Sequence, residues 1–260
     1  MKDAEKYFFQ IKKRIKKAQS CVLILDFDGT LSAIAPTPRQ AFLEDSTRKI
    51  LQKCLMSFPI AVASGRTLED VKQKIKIQQI NYAGNHGLSW EINKKKHSVK
   101  IPKKIMQRLD EAAKELKKIL VNYPGAFLEN KKISMAVHYR LIKKSNTKKF
   151  EKDFNNFILG HAYFGLDLIK NIKAFELRPK IYWTKSDFVK IFLRYSSHKQ
   201  KKSPLPIYIG DDTTDEDVFS TIKNIISIRV GKNKKSSAAY YLKNQKRVDK
   251  FLSRLCQTAK

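Results

Sequence analysis

Short apolar runs separated by helix-like stretches dominate both ends of the chain. Residues 22–25, 60–63 and 207–209 are apolar throughout, as expected for strands that are buried on both faces. Between these runs, apolar residues recur at the spacing of amphipathic helices. The alternation over residues 1–98, and again from residue 182, predicts an α/β fold in which helices flank a parallel sheet.

The middle of the chain has a different pattern. Its apolar periodicity predicts a first helix, a strand, a second helix and two further strands, and these cover Lys103–Leu120, Ile133–Arg140, Ser145–Leu159, Leu166–Ile169 and Lys173–Leu177. We therefore predict a core made of residues 1–98 and 182–260, with a smaller α/β domain of residues 99–181 inserted into it. The sequence contains no internal repeat and no low-complexity linker.

The first buried run ends in two carboxylates. Asp26 and Asp28 follow it directly, and a Gly-Thr turn follows them. Because a strand alternates its faces, we expect both side chains to point the same way at its carboxyl end, where parallel sheets bind their ligands. Such a pair favours a hard cation or a phosphoryl group, although Asp-Gly could also mark an ordinary acidic turn.

The second and third runs also end in polar residues. Ser64-Gly65-Arg66 follows residues 60–63 and precedes a helix-like stretch, a place where a phosphate can bind or where an N-cap can simply form. Residues 211–217 contain five acids, in a chain with 54 Lys and Arg against 24 Asp and Glu. So dense an acidic cluster in a basic chain favours a metal site over a solvated helix start.

These segments together resemble the haloacid-dehalogenase-like (HAD) hydrolases. The resemblance implies a Rossmann-like core with an inserted cap domain, and it implies a phosphotransfer mechanism. Asp26 would attack phosphorus and Asp28 would move the proton. The resemblance also implies that the phosphate is bound by Ser64, Gly65, Arg66 and Lys185. It implies that Mg²⁺ is bound by Asp26, the backbone carbonyl of Asp28, and Asp211. Asp212 and Asp215 would orient Lys185 and metal-bound water.

Within that superfamily the chain is most similar to the trehalose-6-phosphate phosphatases. The similarity rests on the order and spacing of residues 82–88, 128–131, 134–140, 175–179 and 210–219, and the terminal residues 239–242 and 248–252 resemble that family's last helices. It implies that Glu129, Lys131 and Glu176 contact the sugar, helped by His138 and Arg140, and that His86 lies near the substrate. Each of the five could instead form a surface salt bridge, and His86 could be a loop histidine that bonds to the backbone.

One segment departs from the family pattern. The family has Asn or Asp before Lys-Gly, whereas this chain has Trp183-Thr184-Lys185-Ser186. Serine is at least as good as glycine at a helix N-cap, so we expect a helix to begin here. The substitution would lower activity if the family glycine needs a positive φ or a close approach to the substrate.

Composition adds expectations about the environment of the chain. Cys21, Cys54 and Cys256 have no metal-binding spacing, and their odd number predicts small buried side chains and no disulfide framework. No apolar run has the length of a signal peptide or approaches the roughly 18 residues of a membrane span. These features predict a cytoplasmic protein without a membrane partner.

The net charge of +30 raises the possibility of nucleic-acid binding. The lysines are spread along the chain and no recognition motif accompanies them, so we expect a solvated surface and no specific nucleic-acid partner. The expected substrate is a small sugar phosphate, and a trehalose-phosphate synthase partner is left open. Two alternatives also remain: a phosphatase for sucrose phosphate or a glycosyl-phosphoglycerate, and a non-catalytic regulatory protein that binds sugar phosphates.

Overall fold

The computed structural model describes residues 1–160, 165–171 and 173–258, and it divides into two compact units. The core unit consists of residues 1–98 and 183–260, and the insert unit consists of residues 99–182.

The core unit is built on a nine-stranded mixed sheet. In space its strands run β1-β13-β12-β11-β2-β3-β4-β5-β6; neighbours are parallel except at β4–β5 and β5–β6. The strands are β1 (Lys2–Asp3), β2 (Cys21–Leu25), β3 (Ile60–Ala63), β4 (Asn81–Gly84), β5 (Ser89–Ile92), β6 (Lys95–Ser98), β11 (Leu205–Gly210), β12 (Ile226–Val230) and β13 (Tyr240–Leu242).

Helices cover both faces of this sheet. They are α1 (Phe8–Lys17), α2 (Asp45–Leu55), α3 (Leu68–Ile75), α6 (Lys185–Gln200), α7 (Thr213–Thr221) and α8 (Lys246–Cys256). In β2, Leu23 and Leu25 pack with α1, α2, α3 and α8, while Val22 and Ile24 pack with α6 and α7. This alternation explains why the central strand is apolar on both faces.

The insert unit packs two helices on a four-stranded antiparallel sheet of order β7-β8-β10-β9. Its elements are α4 (Lys103–Leu120), β7 (Phe127–Asn130), β8 (Met135–His138), α5 (Lys144–Gly160), β9 (Leu166–Asn171) and β10 (Ala174–Pro179). Phe150, Phe154 and Phe175 lie in its core, and the rings of Phe154 and Phe175 stack with their centroids 4.2 Å apart.

Three features differ from the sequence-based expectations. Residues 240–242 form the strand β13, not part of a helix, because they pair with β12 and β1. The antiparallel hairpin β5–β6 and the strand β7 were not predicted. Cys54 and Cys256 form a disulfide between α2 and α8, so the expectation of three unpaired cysteines was wrong; an odd count still permits one pair and leaves Cys21 as the free thiol.

No helix in the described part of the chain is long and apolar enough to span a bilayer.

Candidate active site

Four charged side chains lie together at the carboxyl ends of β2 and β11, at one edge of the core sheet: Asp26, Asp211, Asp215 and Lys185. Asp26 is 4% exposed and follows β2, and its backbone N–H donates to the carbonyl of Ile209 in β11. Lys185 Nζ donates to Asp26 Oδ1 at 2.7 Å and to Asp215 Oδ1 at 2.8 Å. The lysine is 2% exposed, so its charge is compensated in the interior by these two carboxylates.

The start of α6 fixes the position of Lys185. Thr184 is the N-cap, and Asp187 completes a capping box with it. The Thr184 hydroxyl also donates to Asp217 in α7 and bonds to the Ser186 hydroxyl at 2.9 Å. The helix therefore begins as expected, but its cap is Thr184, because Ser186 already lies inside the helix and does not have a positive φ.

The carboxylates could hold a metal ion. Asp26, Asp211 and Asp215 each place an oxygen within 4.8 Å of the others. Burial, and then the charge of Asp215, raise the pKa of Asp211 to about 7, while burial raises the pKa of Asp26 against the opposing effect of Lys185. An oxygen donor set whose members repel one another fits a hard divalent cation, which would compensate their charge.

Asp215 is the least suited of the three to bind that ion. Its Oδ1 accepts from Lys185 and from the Tyr208 hydroxyl at 2.7 Å, and its Oδ2 accepts from the N–H of Asp212 at 2.9 Å. These donors occupy both carboxylate oxygens of Asp215. Its contact with Lys185 is the one expected of a residue that orients this lysine. Asp212 does not contact Lys185; its side chain caps α7 by accepting from the N–H of Thr213.

Gly29 lets the chain turn closely past Asp211. Its φ is +75°, and a Cβ built there would lie 2.1 Å from Asp211 Oδ2. The turn is closed by N–H groups of Leu31 and Ser32 that donate to the carbonyl of Phe27. Glycine is required here for both reasons, conformation and space.

Asp28 faces a different partner from Asp26. The guanidinium of Arg66 donates to both oxygens of Asp28, at 2.7 Å each, and to Asp70 at 2.6 Å. Because β2 ends at Leu25, the strand alternation that would align Asp26 with Asp28 does not extend to the second carboxylate. Asp70, which sequence reasoning missed, lies in the first turn of α3, four residues after Arg66.

Ser64, Gly65 and His86 form a tight loop contact beside β3. Ser64 is fully buried, and its hydroxyl accepts from the N–H of Arg66 at 3.1 Å. The N–H of His86 donates to the Ser64 carbonyl, and a Cβ at Gly65 would lie 2.6 Å from His86 Cε1. His86 therefore packs against the predicted phosphate-binding turn and bonds to its backbone.

Tyr208 was not among the predicted site residues. It is fully buried in β11, and burial together with Asp215 raises the pKa of its hydroxyl, which keeps the proton that it donates to Asp215. The sequence signal that could have indicated a site residue is a tyrosine two residues before Gly210, in a strand whose other side chains are apolar.

In the insert unit the predicted sugar-contacting residues form two pairs. His138 Nε2 and Glu129 Oε2 are 2.7 Å apart on the adjacent strands β8 and β7. Lys131 Nζ donates to Glu176 Oε2 at 3.0 Å, and the Ser134 hydroxyl donates to Glu176 Oε1 at 3.0 Å. Lys131 and Glu176 are buried, and the fifth predicted residue, Arg140, is exposed beyond the end of β8.

Comparison with known proteins identifies the family. The sequence profile of the trehalose-phosphatase family matches residues 24–247. The chain belongs to the trehalose-phosphatase family.

Individual relatives agree with this assignment. The chain is 30% identical to "Probable trehalose-phosphate phosphatase 3" of Oryza sativa subsp. japonica over 95% of this chain and 72% of that protein. It is 31% identical to trehalose-phosphate phosphatase B of Arabidopsis thaliana over 93% and 67% of the two chains.

Structural comparison agrees at the level of the fold. The C-terminal domain of the trehalose-6-phosphate phosphatase of C. albicans superposes with a TM-score of 0.78 at 22% identity, over 95% of this chain and 96% of that one. This trehalose-phosphatase family member therefore has the HAD fold that its sequence predicted, and it is a phosphatase.

Proposed function

We propose that this chain hydrolyses trehalose 6-phosphate to trehalose and phosphate in the presence of Mg²⁺. The observation that carries the proposal is the buried Lys185, which joins Asp26 to Asp215 beside Asp211. A buried lysine and clustered carboxylates in a trehalose-phosphatase family member are the parts that phosphoryl transfer requires.

Asp26 is the proposed nucleophile. One of its carboxylate oxygens bonds to phosphorus while the bond from phosphorus to the sugar oxygen breaks, giving an aspartyl phosphate and the free sugar. Lys185 donates hydrogen bonds to phosphoryl oxygens as their charge redistributes. Its contact with Asp26 keeps the carboxylate oriented before the substrate arrives.

Asp28 is the proposed acid and base. It donates a proton to the departing sugar oxygen, and it then takes a proton from the water that attacks the aspartyl phosphate and releases phosphate. Arg66 holds both oxygens of Asp28 and so sets the direction of the carboxylate. We propose Arg66 as a positioning residue, which replaces its predicted role as a direct phosphate ligand.

Mg²⁺ would be held by Asp26 and Asp211 with the backbone carbonyl of Asp28. When bound, it neutralises phosphate charge, so that an anionic nucleophile can approach an anionic ester. The carboxylate oxygens suit this ion, which favours hard oxygen ligands.

The insert unit is proposed to supply the sugar contacts. Glu129 and His138, with Arg140, present polar groups for hydroxyl recognition, as His86 does in the core unit. Lys131 and Glu176 are both buried and form an ion pair, and they are proposed to bind hydroxyls as a pair.

Phosphate release across a panel of sugar phosphates tests the substrate. Trehalose 6-phosphate should give the highest kcat/KM, ahead of sucrose 6-phosphate, a glycosyl-phosphoglycerate and glucose 6-phosphate. If another member of the panel is preferred, the mechanism stands and the named substrate is wrong.

Two controls separate catalysis from mere binding. Asp26→Asn should fold normally and retain less than about a hundredth of the activity, since it removes the nucleophile at nearly constant shape. Excess EDTA should abolish turnover and Mg²⁺ should restore it. A wild-type chain that binds trehalose 6-phosphate without hydrolysing it would instead favour the regulatory alternative.

Glu129→Gln tests sugar recognition. It should raise the activation free energy derived from kcat/KM for trehalose 6-phosphate by roughly 1.5–3 kcal/mol, the range for a hydrogen bond to a charged group. The kcat/KM for p-nitrophenyl phosphate should stay nearly unchanged. Equal losses on both substrates would assign Glu129 a structural role. Glu176→Ala is less useful, because it removes the carboxylate that lies 3.0 Å from the buried Lys131 Nζ and so should destabilise the insert unit.

The cytoplasmic location and the possible synthase partner stay predictions from the sequence.

A further inference from the structure

The core unit has a cleft at the end of its sheet that lies opposite the clustered carboxylates. Its volume is about 660 Å³. Most of its lining residues lie at or before the amino ends of β3 and β4, whereas the candidate active site lies at the carboxyl ends of β2, β3 and β11. The last turns of α6 and the turn between β5 and β6 complete the lining. Since β3 has four residues, the strand separates the two edges by on the order of 10 Å.

Two polar atoms in this cleft have no hydrogen-bond partner among the described residues. The hydroxyl of Ser196 is one, and this residue is only 2% exposed. Oε1 of Gln200 is the other, and the two side chains lie one turn apart on the same face of α6. Buried polar atoms are nearly always paired. Both atoms are shielded from solvent, so a bound molecule would supply the missing partners once the two side chains rotate toward the cleft.

The rest of the lining indicates what kind of molecule would fit. Amide groups and one aromatic ring accompany the unpaired atoms, and they belong to Gln78, Gln79, Asn81, Asn93 and Tyr195. Side-chain amides both donate and accept, as sugar hydroxyls do, and an aromatic ring suits the apolar face of a sugar ring. Lys94 and Lys199 are exposed at this cleft, and no described lining residue is acidic.

We propose that this cleft binds a small carbohydrate that carries an anionic group, such as a monosaccharide phosphate. Ser196 and Gln200 bond to its hydroxyls, and Lys94 and Lys199 bind its charge. The volume is within the range of small-molecule sites. The proposal concerns a separate site and does not depend on the proposed catalytic function.

One helix connects the two sites. Lys185 begins α6 and Ser196 lies eleven residues later, which at 1.5 Å per residue is about 16 Å. A molecule bound at the last turns of α6 therefore contacts the same rigid element that positions Lys185.

Hydrogen–deuterium exchange with glucose 6-phosphate locates the binding. In the presence of EDTA, which limits turnover, the probe should slow exchange in peptides that cover residues 55–60 and 193–201. Glucose alone and inorganic phosphate alone should each give weaker protection there at equal concentration. No protection in these peptides overturns the proposal. Full protection by phosphate alone would overturn the requirement for a sugar, and full protection by glucose alone would overturn the requirement for an anionic group.

Variants test the named contacts. The double variant Lys94→Glu with Lys199→Glu should lower the apparent affinity for glucose 6-phosphate, as measured by this protection, by about tenfold or more. This is the loss expected when charge-assisted hydrogen bonds are removed. The matched control is Lys13→Glu with Lys17→Glu, which changes the net charge equally at exposed positions of α1 and should leave the protection unchanged. Equal effects of the two double variants would overturn a specific site.

Ser196→Ala distinguishes a binding role from a structural one. It removes an unpaired buried hydroxyl, so thermal unfolding without ligand should occur at the same or a higher temperature, while the protection by glucose 6-phosphate should fall. Unchanged protection, or a lowered unfolding temperature that accounts for the loss, would overturn the role of Ser196.

Discussion

At the scale of single residues, Gly29 in the candidate site combines a close approach to Asp211 with a positive φ. Gly29 and Gly231 both have a positive φ, of +75° and +81°, but only Gly29 has a neighbour within 4 Å of the position where a Cβ would lie, namely Asp211. The two glycines therefore separate the effect of backbone conformation from the effect of crowding.

Gly29→Ala and Gly231→Ala both place a side chain at positive φ. We expect this shared effect to lower the free energy of unfolding of each variant by roughly 1–2 kcal/mol. Gly29→Ala should also displace Asp211 and reduce kcat by roughly a hundredfold, as expected for a misplacement of about 1 Å. Urea unfolding and phosphate release measure the two effects. Equal activity of the two variants would contradict the crowding argument.

Arg66 offers a second prediction at this scale. Lysine cannot reproduce the two-pronged contact of the guanidinium with Asp28, so Arg66→Lys should reduce kcat by roughly 10- to 100-fold. The loss should be larger for a sugar phosphate than for p-nitrophenyl phosphate, because the nitrophenolate leaves without needing a proton from Asp28.

Asp70→Asn is the matched control for Arg66→Lys. It changes the other carboxylate that Arg66 contacts and leaves the Asp28 contact intact, so its effect on kcat should be small. If the loss in Arg66→Lys is the same for both substrates and appears mainly in KM, then Arg66 binds phosphate directly, as the sequence resemblance first implied.

At the scale of elements, the helix α6 ties its own N-cap to the neighbouring helix. Thr184→Ala removes the capping oxygen and the contact with Asp217, and should lower the free energy of unfolding by about 1 kcal/mol and reduce kcat through displacement of Lys185. Thr184→Ser keeps the hydroxyl and should retain most of both properties. Equal losses in the two variants would show that the threonine methyl group, and not the cap, is important.

The same elements show what the sequence could and could not predict. The buried runs that became β2, β3 and β11 were clear, because strands covered on both faces are apolar throughout. The strand β13 was missed because Tyr240–Leu242 is too short to show a period and is defined by its pairing with β12 and β1. The hairpin β5–β6 was missed because β6, with the sequence Lys-Lys-His-Ser, is exposed and has no apolar face.

Side-chain partners were harder to predict than elements. The resemblance placed Glu129 and Lys131 together in one sugar-contacting set, yet β7 ends at Asn130, and the two residues pair with His138 and Glu176 respectively. The pairing of Arg66 with Asp28 likewise joins residues 38 positions apart in the chain. Such contacts depend on how strands and turns meet in space, which a single sequence does not reveal.

The disulfide between α2 and α8 gives a prediction that concerns the thiols. Native protein should show one reactive thiol, Cys21, and burial raises its pKa to about 11 from 9.0. At pH 8, below both values, the thiolate fraction is then lower by about a hundredfold, so alkylation by iodoacetamide should be correspondingly slow and should accelerate as the pH rises toward 11.

Reduction should also lower the free energy of unfolding, by roughly 2–4 kcal/mol. Cys256→Ser should remove this sensitivity to reductant. A protein that unfolds identically with and without reductant, and that shows three thiols, would contradict the disulfide.

At the scale of the whole molecule, the net charge of +30 should attract an anionic substrate. A positive field raises the encounter rate, and salt screens it over about 10 Å at 0.1 M. We expect kcat/KM for a sugar phosphate to fall as NaCl rises from roughly 20 to 200 mM, while kcat changes little. A value of kcat/KM that is independent of salt would show that the charge does not guide substrate.

The division of the core unit between the two ends of the chain has a consequence for the order of events during synthesis on the ribosome. The insert unit is continuous in sequence, so its helices and strands can all form contacts as soon as residue 182 has emerged. The central strand β2 waits for β11, about 180 residues later, and β1 waits for β13, about 240 residues later. Long-range pairings of this kind form slowly and leave apolar strands uncovered meanwhile. The nascent chain should therefore pass through a stage with a folded insert and an unfinished core, and this stage is where chaperones would be needed.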